Sequence, residues 1–133
     1  MRKSTNAIKA MEVNTEAGIM DWAVSAAYYA MYFAVYSLLS KVGIKCEIHD
    51  CTIALFEYLF GNIVKKGMVE EIKLAKKDRI ESQYYVEERR VHVTGTIEKT
   101  KKFVLEVERI IDNLDQQQVA NLRQKLLSIK ESR

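Results

Sequence analysis

The chain has 133 residues, no proline, five glycines and a net charge of +3 from 21 basic and 18 acidic side chains. That length fits one domain with a core of its own, and the mild basic excess falls short of what charge-driven nucleic-acid binders carry. Without proline, and with few alternating β-branched runs outside Val91-His92-Val93-Thr94, the composition excludes a sheet protein and predicts an all-helical chain with short connections.

In chain order, a first short helix is expected from about Ser4 to Val13, with Ala7, Ile8 and Met11 on one side. Asn14-Thr15-Glu16 then leads into an uncharged run from Trp22 to Ser40 that ends near Gly43, a suitable helix stop. Ala23, Ala26, Ala27, Ala30 and Ala34 recur there at helical spacings and would let another backbone come close. Tyr28, Tyr32 and Tyr36 share one face, so each buried phenol needs a partner from another helix. The run has the length of a membrane span, about 20 residues. Tyrosines through its middle, alanine in place of leucine, and Asp21 and Lys41 at its ends argue against one.

A connector from Ile44 to His49 precedes a third helix, Cys51 to Phe60, and a fourth runs from Met68 to Ser82 with Val69, Ile72, Leu74, Ala75 and Ile80 facing inwards. The stretch from Val86 to Gly95 reads as irregular, with His92 and Val93 briefly extended. Thr94 or Thr96 would then cap a fifth helix from Ile97 to Leu114. Asp115 and Gln118 have the spacing of a capping box before a last helix carrying Val119, Leu122, Leu126 and Ile129 as a narrow seam. Residues 1–114 therefore read as the bundle, and residues 115–133 as a C-terminal helix that packs on it or on a partner.

The tyrosine helix, Leu38-Leu39, the connector ending in His49, and Arg79 followed by Tyr84 together resemble the HEPN domain family in its minimal, free-standing prokaryotic form. Phe103-Val104 in a later helix also fits, and the similarity runs from about Ala7 to Ile111. The resemblance implies an up-and-down bundle of about five helices and a homodimer. It also implies association with nucleotide or RNA, and a minimal nucleotidyltransferase as partner in a toxin–antitoxin-like pair. Ligand-binding candidates under this resemblance are Arg79, Tyr84, Tyr85 and His49, with the guanidinium on a phosphate and a phenol under a base or ribose. Many relatives are metal-independent ribonucleases in which a histidine follows an arginine by four to six residues. Here Tyr84 stands where that histidine would be, and a free phenol with pKa near 10 is a poor base at neutral pH. The expectation is therefore non-catalytic binding, the alternatives being a divergent ribonuclease using Arg79 and Tyr84, or a structural interaction module.

The competing readings are structural. Arg79 can snorkel from the fourth helix while Tyr84 closes the bundle end, and His49 can anchor the start of the third helix. Cys46-Glu47-Ile48-His49-Asp50-Cys51 lacks the second ligand pair of a closed zinc site, so no metal and no cofactor are expected. The two cysteines read as free, half-buried thiols of a cytoplasmic protein, since no secretory signal opens the sequence. The basic residues between Lys65 and Arg90 alternate with Glu70, Glu71, Glu81, Glu87 and Glu88, as on a solvated helix face.

Overall fold

A computed structural model describes residues 1–82 and 93–131. Among them are six helices and no strands: α1 (Arg2–Glu16), α2 (Met20–Lys41), α3 (His49–Phe60), α4 (Met68–Ser82), α5 (Val93–Asn113) and α6 (Gln116–Glu131). The all-α bundle has the six helices that the chain-order reading lays out, one more than the family resemblance implies. α2 is its axis. It packs against α1, α3, α4 and α5, and Ala23, Ala27, Ala30 and Ala34 are buried along it.

By length and composition α2 could cross a bilayer, but 56% of its most apolar window is covered by the bundle, as a core helix must be. Alanine sets how closely it is covered. The Ser4 hydroxyl of α1 donates a 2.7 Å hydrogen bond to the carbonyl of Ala30, an approach that a larger side chain would block. Both ends of α2 are set by glycine at positive φ. Gly18 (φ 75°) ends α1, with Gly18 N–H on Thr15 O and Ile19 N–H on Asn14 O. Gly43 (φ 84°) ends α2, with its own N–H on Ser40 O and the Ile44 N–H on Leu39 O. Paired 5→2 and 6→1 bonds of this kind satisfy the last carbonyls of each helix.

α6 closes the far end. Arg123 Nε donates to Val42 O at 2.8 Å and Lys125 Nζ donates to Tyr58 O at 2.8 Å, which sets two cations on the negative C-terminal ends of α2 and α3. Leu122 is buried and Leu126 packs against the core, so the seam residues are the covered ones. The capping box forms in both directions: Gln118 N–H donates to Asp115 Oδ1 at 2.7 Å and Asp115 N–H donates to Gln118 Oε1 at 3.0 Å.

Several boundaries differ from expectation. Asn14-Thr15-Glu16 completes the last turn of α1, and the connection is Ala17-Gly18-Ile19. α5 starts at Val93, so Val93 is helical and neither Thr94 nor Thr96 stands outside the helix as a cap. Leu74 and Ile80 are 56% and 49% exposed, because the inward face of α4 follows Met68, Val69, Ile72 and Ala75. Continued at helical spacing, that register carries Arg79 towards α2 as well. The basic surface of α4 and of the turn before it is largely ion-paired, with Lys65–Glu106 at 3.5 Å, Lys77–Glu81 at 3.9 Å and a Lys73–Glu57 contact.

If Ala30 marks the closest crossing, Ala30→Leu should overpack it and cost about 1–3 kcal/mol. Its melting temperature should fall by several degrees, while Ala54→Leu on the exposed face of α3 leaves melting nearly unchanged. Equal melting of the two variants would show that α2 is not tightly crossed there.

Candidate functional site

Two buried phenols on α2 decide where α3 begins. Tyr28 is fully buried, and its hydroxyl lies 2.7 Å from Nδ1 of His49, the first residue of α3. One turn on, the Tyr32 ring stacks on the His49 imidazole with centroids 3.9 Å apart and planes 13° from parallel. Tyr29 meets the same imidazole edge-on at 6.1 Å. The Thr52 hydroxyl donates to Cys46 O at 2.7 Å, which leaves its lone pairs to accept from the Tyr32 hydroxyl at 3.5 Å. The expected stack is present, with Tyr28–Tyr32 at 6.0 Å and Tyr32–Tyr36 at 6.4 Å.

His49 is therefore no backbone cap. α3 has no side-chain hydrogen bond at its N-cap, Ile48, and the imidazole points into the aromatic cluster instead. The anchoring expected of His49 exists, but it runs through the ring to α2.

Arg79 reaches the cluster from α4. Its guanidinium lies 5.0 Å from the Tyr29 ring centroid and 5.7 Å from that of Tyr28, within cation–π range. Lys76, one turn earlier, pairs with Asp50 beside His49. Burial lowers the His49 pKa, and the Arg79 and Lys76 charges lower it further. The imidazole is then neutral at neutral pH, and either tautomer closes the bond to Tyr28. Burial pushes the Tyr28 phenol up, Tyr32 adds to this and Arg79 opposes it, so the hydroxyl keeps its proton.

His49 also lines a groove of about 610 Å³, together with Tyr32, Tyr36, Ser37, Arg2 and Lys3. That volume suits a small organic ligand. Its walls offer ring faces for stacking, hydroxyls for hydrogen bonding and cations for an anion. Among the described residues, no three His, Cys, Asp or Glu side chains converge as metal ligands would.

Of the four candidates from the sequence, the structure brings His49 and Arg79 to one cluster, although 30 positions separate them. Tyr84 and Tyr85 lie outside the described residues, as does His92. Sequence reasoning missed Tyr28, Tyr29 and Tyr32 as site members. The requirement that each buried phenol find a partner on another helix was the signal that pointed to them.

The family model described as HEPN domain matches residues 1–117 of the chain. No curated protein matches it.

The depressed His49 pKa fixes a sign for pH dependence. The unfolded chain takes up a proton near pH 6.5 and the folded one only at lower pH, so this stability is complete above about 6.5 and is lost as pH falls towards the folded pKa. Melting of the wild type should therefore fall more steeply than that of His49→Gln over this acid range. Parallel curves would mean that His49 is not held neutral.

Proposed function

Because the chain belongs to the HEPN domain family, whose role is tied to nucleotides or RNA, we propose that it binds a nucleotide or RNA without cleaving it. The observation that carries this reading is the Arg79–Tyr28–Tyr29–His49 cluster beside an aromatic and basic groove. Arg79 supplies a planar cation for a phosphate, and Tyr36, on the groove wall, supplies a ring face on which a base can stack. His49 is poorly set up for acid–base work. Its Nδ1 is engaged by Tyr28, one face is stacked on Tyr32, and its depressed pKa leaves no imidazolium to act as general acid at neutral pH. In the cell we expect it in the cytoplasm, as the partner subunit of a minimal nucleotidyltransferase in a toxin–antitoxin-like pair, a reading supported by family resemblance alone.

One observation favours a second reading. Arg79 and His49, from different helices, come close enough for the guanidinium charge to act on the imidazole, so an arginine and a histidine are available together although the family's motif is not. A divergent ribonuclease would then use His49 where the sequence reading named Tyr84.

Binding and cleavage of a short single-stranded RNA by wild type, Arg79→Ala and His49→Gln separate the two. We expect binding without cleavage, with Arg79→Ala weakening affinity by about 1.5–3 kcal/mol, the worth of a hydrogen bond to a charged group. Cleavage by the wild type that disappears in Arg79→Ala or His49→Gln would establish the enzyme. Unchanged affinity in Arg79→Ala would remove Arg79 from the site.

A homodimer is proposed through the α1–α2 face. Trp22 is 67% exposed and Val13 55%, and Ala7, Ala10, Ile19 and Trp22 line an apolar groove of about 950 Å³. Small residues there would let a second copy of the same helix pair approach closely, and Tyr29, which lies under Arg79, borders the groove. Light scattering should give twice the chain mass for the wild type and the chain mass for Trp22→Glu. A monomeric wild type at high micromolar concentration would reject the dimer.

A further inference from the structure

The connector before α3 is folded back on the helix that it feeds. Thr52, in the first turn, holds the carbonyl of Cys46 at 2.7 Å and that of Ile48 at 3.1 Å with one hydroxyl. The Cys46 Sγ lies 3.7 Å from Ile48 O. These contacts set Cys46 over the first turn of α3, where Cys51 is the third residue, and bring the two thiols near enough to shift each other's ionisation. Both cysteines are free, Cys46 half-buried and Cys51 exposed, where the sequence reading had both half-buried.

We propose that Cys46 and Cys51 are a reversible redox pair, closing an intramolecular disulfide across the first turn of α3 when a peroxide is present. The Cys51 S–H holds the Cys46 thiol below its ordinary pKa, and Cys46, set over the N-terminal end of α3 by the Thr52 and Ile48 contacts, is the attacking sulfur. Cys51, pushed up by the same contact and by burial, is the resolving thiol. In the first step the Cys46 thiolate attacks a peroxide oxygen, the O–O bond breaks, and Cys46 sulfenic acid and hydroxide form. In the second step Cys51 sulfur attacks the Cys46 sulfur, the S–O bond breaks, and the Cys51 proton leaves with the oxygen as water. Both sulfurs are oxidised and one peroxide is reduced. A dithiol reductant reverses the change, regenerating two thiols as its own sulfurs pair.

The disulfide would enclose a loop of six residues that contains His49. Glu47 and His49, which border the aromatic groove, would then be tied down on both sides. The pair thus stands at the edge of the candidate site, although its chemistry does not depend on what binds there. An accessible low-pKa thiol with a resolving neighbour is the arrangement found in reversible thiol sensors.

The test needs only the full chain and hydrogen peroxide. Before oxidation, iodoacetamide at neutral pH should label Cys46 severalfold faster than Cys51, the reverse of their exposure order. Cys51→Ser should slow Cys46 labelling severalfold. After peroxide, intact mass should show loss of two hydrogens, and peptide mapping should place a Cys46–Cys51 link that dithiothreitol removes. Helical circular dichroism should be unchanged. Faster labelling of Cys51, a disulfide-linked dimer as the main product, or stable oxyacids on Cys46 without a link would each overturn the proposal. Cys46→Ser removes the reactive sulfur and should leave Cys51 slow to label and no internal link; a fast Cys51 there would also contradict it.

Discussion

A buried phenol hydroxyl must be hydrogen-bonded, and the two on α2 set the terms for the rest of the molecule. Tyr28 and Tyr32 lie on the most enclosed helix, beyond the reach of solvent, so their partners have to come from elsewhere in the chain. α3 supplies both, His49 for Tyr28 and Thr52 for Tyr32, from its first turn. Both the two α3 residues and the two α2 phenols are about one helical turn apart, and this fixes where α3 starts and how it lies. The same turn then holds the connector through Thr52, orients the thiols and presents an imidazole to the groove. One satisfied pair of hydroxyls thus shapes both the core and the candidate site.

Electrostatics follow from that placement. A half-buried imidazole near a guanidinium and an ammonium is kept neutral, and Asp50 offsets part of the local positive charge. The cluster is cationic overall without being acidic. It therefore suits holding a phosphate better than donating protons to one. Alanines at the helix crossings leave Tyr28 and Tyr32 free to meet the first turn of α3, so the candidate site and close packing share one helix.

Local features were legible in the sequence because their causes are local. Gly43 stops α2 as its position suggested, Asp115 and Gln118 form their reciprocal bonds, and the seam through Leu122 and Leu126 is the covered face of α6. The all-helical class follows from the absence of proline and of alternating strands. Two kinds of feature were not legible. Helix phase over α4 failed at Leu74 and Ile80, since apolar identity alone does not say which face is covered when a helix has one neighbour side and one solvent side. Long-range pairs failed as well. Nothing near His49 or Arg79 in sequence says that they meet, because their approach depends on how α3 and α4 both fold against α2. Ser4 bonding to Ala30 O is of the same kind, a hydroxyl whose partner lies 26 positions away on the axis helix.

The Tyr28–His49 link holds α3 to the axis helix, and a double-mutant cycle on folding stability measures it most directly. Tyr28→Phe, His49→Ala and the double variant should be unfolded under identical conditions at neutral pH. Residues in direct contact couple by about 0.5–3 kcal/mol, and a buried hydrogen bond here should give a favourable coupling in the upper half of that range. Strictly additive losses, within about 0.5 kcal/mol, would contradict it.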